Sequence, residues 1–462
     1  MKKIFSTIIS LILVGTISAL AQKQTPPAGG TPKDFKLPEK QLNTFPNGLR
    51  SSLVHYGALP KVDVQLIIKT GNVHEAANET WLADLTGLLM KEGTTSMNFK
   101  TISKKVAAMG GEVNINTGMD NITISGSVLS EFAPQLISVI GDMVINPAFP
   151  TSEVERLKSD LKRQLTVQKS VPQNQATEKF FQIIYKDHPY GRFYPTEAMI
   201  NTYTVDMAKG FYSKNFGAKR SVVYVVGKFD DKAVAQAIDE TFGKWMAGPE
   251  VNYPAATATR TNEIAVIDRK DAPQTTVLLG TPTIIPKDKD AVALQVTNSL
   301  LGGSFGSRIT SNIREDKGYT YSPFSTIQNR KGVSVWYEQA DVTSKDTGNS
   351  LQEIAKEIRR LQTEAPSKEE LEGIQRYMAG TFVLQNSNPG GIVNQLNFLD
   401  LHGLDDSYLT DRVKNIYAVT PEKVSQMTKD HFKYEDMTLV LVGDKKLLEK
   451  QIKQHEAAKK VK

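Results

Sequence analysis

The chain has 462 residues, 40% of them hydrophobic and 23% charged, a globular composition that excludes a disordered polypeptide and predicts about two to four domains. It contains no cysteine, which excludes a disulfide framework and a lipid anchor on an N-terminal cysteine. The formal charge of +6 includes Lys2 and Lys3. Lysines and acids are mixed along most of the remainder, so apart from the short basic tail KKVK the balance argues for solvated faces and against nucleic acid.

The first stretch, MKKIFSTIISLILVGTISALAQ, sets two lysines before an apolar run and ends it at Ala19-Leu20-Ala21. That is the pattern of a secretory signal peptide over residues 1–21, and the Ser, Thr and Gly inside the run set it apart from a membrane anchor. Export, to a periplasm or to the medium, is the expectation, with no stable membrane anchor once the signal is removed. Next, QKQTPPAGGTPKDF is rich in Pro and Gly and predicts a flexible linker over 22–36, with the fold starting near Leu37.

Beyond it, VDVQLIIKTG reads as a strand, residues near 80–92 and 99–109 as helices, and GEVNINTG and NITISGSV as alternating strands. Val154, Leu157, Leu161 and Leu165 make one apolar stripe at helical spacing, and SVVYVVG reads as a closing strand. The same order returns in TTVLLG, a helix from about Asp288 to Leu301, TYSPFSTI, GVSVWYEQA and MTLVLVG. The recurrence is regular: Thr204 and Thr420, Phe216 and Phe432, Gly227 and Gly443, Pro150 and Pro366, and Glu153 and Glu369 are each 216 positions apart. Two homologous halves follow, over 37–250 and 251–462. The expected class is α+β, each half a mixed, mostly antiparallel sheet with helices packed on one face, the pair forming a half-clamshell.

Three stretches carry a resemblance to a known family: GNVHEAANETWLADLTGLLMKEGT, HPYGR at His188 to Arg192, and LLGGSFGSRITSNIREDKGYTYSPFS from Leu300 to Ser325. The chain resembles the insulinase-like, or pitrilysin, zinc metallopeptidases over nearly all its length beyond the signal, and is similar to the two-domain subunits of mitochondrial processing peptidase and its bacterial relatives. Active members carry His-x-x-Glu-His on the first helix, because two histidines four apart share a helical face and can hold zinc while the Glu activates its water. Aligned on Gly93-Thr94, those positions hold Asp84, Gly87 and Leu88. The third ligand, a Glu, would fall near Arg163 and Gln164, and no carboxylate occurs from Leu161 through Thr177.

No other cluster replaces it. The six histidines, His55, His74, His188, His402, His431 and His455, are dispersed along the chain. His74-Glu75 with Glu79 is the best local candidate, and its ordinary reading is a solvated loop before a helix. His188, before Pro189 in a turn, reads as structural. Leu82, Leu85, Leu88 and Leu89 give the degenerate helix a core-facing side, and Gly87 predicts a close approach by another helix. No metal is expected in this chain.

The resemblance implies a different role. In the family a complete enzyme encloses its substrate between two facing halves, with zinc on one side and an Arg and a Tyr, seven positions apart after a glycine-rich turn, on the other. Here those two match Arg314 and Tyr321. Arg314 would hold a substrate carbonyl, and the Tyr321 hydroxyl would donate toward a developing oxyanion, in trans to a zinc-bearing homologous chain. Gly302, Gly303, Ser304, Phe305 and Gly306 would form a wall of the substrate chamber. LLGGSFGSR lacks the Gly-Lys-Ser/Thr ending of a phosphate loop. Taken singly, each feature has a plainer account: Arg314 complements a helix end, Tyr321 packs in an alternating strand, and the glycines serve a tight turn. The implied function is therefore a non-catalytic subunit of an exported zinc metalloendopeptidase, its peptide substrates shared with the zinc-bearing partner. The alternative is a catalytically inactive peptide-binding or interaction protein, possibly homodimeric.

Overall fold

The computed structural model describes residues 35–460. The expected signal peptide, and the linker up to residue 34, lie outside them. Chain packing is present from Phe35, whose ring meets Phe382 edge-on at 5.0 Å.

The first half builds a sheet from β1 (Lys40–Thr44), β2 (Arg50–His55) and β3 (Lys61–Ile68), then inserts helices α1 (Leu82–Lys91) and α2 (Phe99–Ala108). The hairpin β4 (Glu112–Thr117) and β5 (Ile122–Leu129) follows, then α3 (Ala133–Ile145), α4 (Val154–Ser170), α5 (Pro172–Tyr185) and α6 (Val205–Asn215), and last β6 (Ser221–Gly227). The strand order is β1-β2-β6-β3-β5-β4, antiparallel except where β2 runs parallel to β6.

The second half repeats this with β7 (Ile264–Asp268), β8 (Gln274–Thr283), α7 (Ala291–Asn298), β9 (Phe324–Arg330), β10 (Val333–Thr343), α8 (Thr347–Thr363), α9 (Lys368–Gln385), α10 (Pro389–His402), α11 (Pro421–His431) and β11 (Thr438–Gly443). Its order is β7-β11-β8-β10-β9, again with one parallel pair, β7 with β11. Strand for strand this is the first sheet without β1, and the α+β architecture stands as expected. The repeat reaches the caps: Thr204 and Thr420 each accept a hydrogen bond from the third residue of the helix they begin.

The central strands explain why SVVYVVG and its counterpart are continuously apolar. In β6, Val223 and Val225 join the core beneath α1, α3 and α4, while Val222, Tyr224 and Val226 point to the opposite face. Both faces are covered, so alternation disappears. The second cover comes from the other half. Ile392, Val393 and Leu396 of α10 pack on the outer face of the first sheet with Val54 and Ile67. In return, Phe180, Phe181 and Ile184 of α5 pack on the outer face of the second sheet with Leu278, Val335 and Val440. Phe180 and Leu396 are themselves 216 positions apart, so the exchange obeys the internal symmetry.

Polar contacts fasten it. Asp400 of α10 takes Arg50 at 2.8 Å and Lys69 at 2.6 Å, both from the first half. Tyr190 of HPYGR is fully buried, donates to Asp120 at 2.6 Å and accepts from the Lys331 amide, while Arg330 reaches the same Asp120 at 3.5 Å. HPYGR is thus a joint between halves.

Two boundaries differ from expectation. The helix expected over 288–301 starts at Ala291 and widens at Ser299–Gly303 into a π-type turn, because a glycine pair there supports no regular α-helical ending. Tyr321 is not in a strand: β9 begins at Phe324, after Pro323 has denied the ladder a donor.

Candidate functional site

The start of α1 is held by a carboxylate delivered from the preceding loop. Glu75 is 5% exposed and accepts from the Ala83 amide at 2.8 Å, the Trp81 amide at 3.1 Å and Asn72 Nδ2 at 3.1 Å. It stands where a capping side chain would, its oxygens accepting from amides at the start of the helix that have no carbonyl partner within it. Trp81, at φ 72°, holds an unfavourable left-handed conformation, kept by its Nε1 donating to the Phe193 carbonyl at 3.0 Å. The His74-Glu75 segment is therefore no solvated loop. Both ring nitrogens of His74 are engaged, Nε2 donating to the Asn252 carbonyl at 2.8 Å and Nδ1 accepting from the Gly71 amide at 3.3 Å. Burial pushes its pKa down and keeps the ring neutral.

Asp84 lies beside this cap and accepts from the same Asn72 amide nitrogen at 2.6 Å. Burial pushes Glu75 up to about 8, with Asp84 adding repulsion and the three donors opposing. Burial likewise pushes Asp84 up to about 6 against its bond from Asn72. Folded-state values above the ordinary 4.5 and 3.8 mean that stability is fully present below those values and is lost as pH rises through about 6 and then about 8. Asp84→Asn keeps the Asn72 bond and removes one charge, so it should flatten that decline. We expect a gain of about 2 kcal/mol at pH 8 and none at pH 4, read from urea unfolding midpoints at the two pH values. A gain of equal size at both would refute the electrostatic account.

The residues do not fit a metal. Leu88 packs against the core, and Asp84 is committed to Asn72. A Cβ on Gly87 would lie 2.7 Å from Thr117 Oγ1. The close neighbour that Gly87 admits is strand β4, not a helix. On α4 the core-facing residues are Leu161 and Leu165, whereas Arg163 and Gln164 face solvent. Among the described residues no group of three or more His, Cys, Asp or Glu side chains could hold a metal ion.

The π-type turn Ser299–Gly303 leads through Ser304, Phe305 and Gly306 to a second π-type segment, Ser311–Asp316, which carries Arg314. Phe305 is 67% exposed, and the Arg314 guanidinium stacks on it 4.3 Å from the ring centroid while pairing with Glu315 at 3.1 Å. Tyr321 is 84% exposed and, among the described residues, makes no hydrogen bond or ring contact. The structure thus brings Phe305 and Arg314 together and leaves Tyr321 free in solvent.

Beneath this turn lies a residue that the sequence reading passed over. Glu338 of β10 is fully buried, and neither carboxylate oxygen has a hydrogen-bond partner. A Cβ on Gly302 would come within 2.5 Å of its Oε2, so the glycine is needed to seat the turn over the acid. The signal for Glu338 was available: it interrupts an apolar strand at an inward position, between Trp336 and Ala340. Burial pushes its pKa well above 4.5. Glu338→Met should therefore stabilise the fold by about 1–3 kcal/mol at pH 7, and a thermal melt showing a loss would point to a hydrogen-bonded role.

Among the described residues, then, α1 offers no group of metal ligands, while Phe305 and Tyr321 of the second half stand exposed. A model of insulinase, peptidase family M16, matches residues 55–194, and one of the peptidase M16 inactive domain matches 202–378. Between them they span more than half of the chain, which belongs to peptidase family M16. It is 26% identical to an uncharacterized zinc protease of Mycobacterium leprae over 62% of this chain and 65% of that one, just under two thirds of the relative's length. It is 21% identical to a non-peptidase homolog of Helicobacter pylori over 84% of this chain and 90% of that one. The fold is that of the periplasmic protease PqqL of Escherichia coli, with a TM-score of 0.76 at 15% identity, covering 93% of this chain and 51% of PqqL.

Proposed function

We infer that this chain is the non-catalytic subunit of an exported zinc metalloendopeptidase, forming half of a peptide chamber and supplying Arg314 and Tyr321 to a homologous partner that carries the zinc. One observation carries the reading: Gly87 and Leu88 of α1 are committed to packing, whereas in the second half Tyr321 is 84% exposed with no partner among the described residues and Arg314 lies half-buried against Phe305. A side chain 84% exposed adds little to the fold by burial, which leaves the Tyr321 hydroxyl available to a bound peptide. The likeness to PqqL is consistent with this reading, since this fold covers 51% of that protease and a second copy of the fold would complete its length. Enclosure excludes water and strengthens every polar contact with the substrate.

The test is purification of the tagged chain from the envelope of its native cell. Recovery with a homologous chain bearing His-x-x-Glu-His, one zinc per pair and peptide cleavage only by the pair are expected. A chain recovered alone, or only with itself, would overturn the subunit reading and leave an interaction protein.

A further inference from the structure

The glycine-rich turn and helix α9 do not close on each other. Between them is a cleft of about 540 Å³ walled by Leu300, Ile374 and the rings of Phe305 and Tyr377. By element order it occupies the place that, in the first half, lies between α1 and α4, where Leu85, Leu161 and Leu165 share one core. In the second half Leu300, Leu301, Leu371 and Ile374 likewise share a core, and the cleft opens beside it. Two aromatic rings that could have packed inward stand out instead, Phe305 at 67% and Tyr377 at 52% exposure. Gly373 lies on the cleft wall in α9, and a Cβ placed there meets nothing within 4 Å. A glycine in a helix interior costs about 1 kcal/mol against alanine, and here no close neighbour requires it.

Charge narrows the occupant. At the rim, Glu370 is already neutralised by Arg308 through two bonds, at 2.8 and 2.9 Å. Glu369 is exposed and, among the described residues, has no cationic partner. Arg314 stands on the far side, against Phe305. The volume suits one or two large side chains and is too small for the face of a folded partner.

We propose that this cleft is a specificity subsite that receives a large apolar side chain of a bound peptide, with a basic residue of the same peptide beside it at Glu369. The inference rests on the reading above that this face meets peptide. An extended chain crossing the turn sets its apolar side chain between Phe305, Ile374 and Tyr377, its neighbouring cation at Glu369, and its backbone toward Arg314. The cleft thus selects by shape and charge, and it needs no zinc to do so.

The purified chain alone is the test object, which separates the subsite from catalysis. Fluorescein-labelled peptides of Ala and Lys with one central Trp, Leu or Ser are titrated by anisotropy. The wild type should hold the Trp and Leu peptides about tenfold tighter than the Ser peptide. Gly373→Leu, which fills the cleft, should abolish that preference and leave the Kd of the Ser peptide within about twofold. Tyr377→Ala should reduce the preference by removing a wall. Gly380→Leu, on the same helix with equally open space and away from the cleft, controls for helix propensity and should change nothing. A preference that survives Gly373→Leu, an equal weakening for all three peptides, or no preference in the wild type would each overturn the subsite while leaving the subunit reading standing. No binding of any peptide would remove the subsite and the peptide-facing role together.

Discussion

Restoring the zinc motif on paper should not restore a zinc site in the protein. The triple variant Asp84→His, Gly87→Glu, Leu88→His is expected to hold no stoichiometric zinc and to lose about 3–5 kcal/mol of stability. The reason is local. A side chain at 87 begins 2.7 Å from Thr117 Oγ1, so strand β4 occupies the space the glutamate would need. Asp84 is half of a shared bond with Asn72 that also steadies Glu75, and Leu88 packs on the core that a histidine would wet. The third ligand is missing as well, because α4 faces α1 with Leu161 and Leu165. Metal analysis after dialysis, paired with urea unfolding, reads both halves of the expectation. One tightly held zinc per chain with an unchanged midpoint would show that the site is merely unfilled and not closed. Adding Thr117→Ala separates the two causes, since it should recover the steric part of the loss and none of the metal.

That asymmetry explains what the sequence could and could not reveal. The repeat was legible because backbone geometry repeats: Thr204 and Thr420 cap helices, and the doubly buried strands β6 and β11 need unbroken apolar runs. That Asp84, Gly87 and Leu88 stand at the positions of His-x-x-Glu-His was readable only through the family resemblance, aligned on Gly93-Thr94. The exchange of α5 and α10 between halves was not legible, since an apolar helical stripe records that it is covered and not by what. Glu75 was misjudged for a related reason. A loop carboxylate looks solvated until the three donors that bury it are in place. Tyr321 looked like a strand residue because YTYSPFS alternates, but alternation needs a ladder to act on, and the ladder begins only at Phe324.

That correction sharpens the remaining prediction, which concerns turnover. In the complex with a zinc-bearing partner, Tyr321→Phe is expected to lower turnover about a hundredfold, the loss typical of removing one oxyanion donor. Arg314→Ala should raise KM as well as lower turnover, because a cation on a peptide carbonyl binds the ground state too. The two changes part company on stability. Tyr321 is 84% exposed with no hydrogen bond to lose, so its melting temperature should not move. Arg314 covers Phe305 at 4.3 Å and pairs with Glu315, so its removal should cost a little, on the order of 0.5–1 kcal/mol. Assembly should survive both, since neither side chain is built into a core. Kinetics of the purified complex and thermal melts of the chain alone therefore give independent answers. Unchanged turnover with Tyr321→Phe would leave the exposed hydroxyl without a task in catalysis and would favour a chain that binds peptides and cuts nothing.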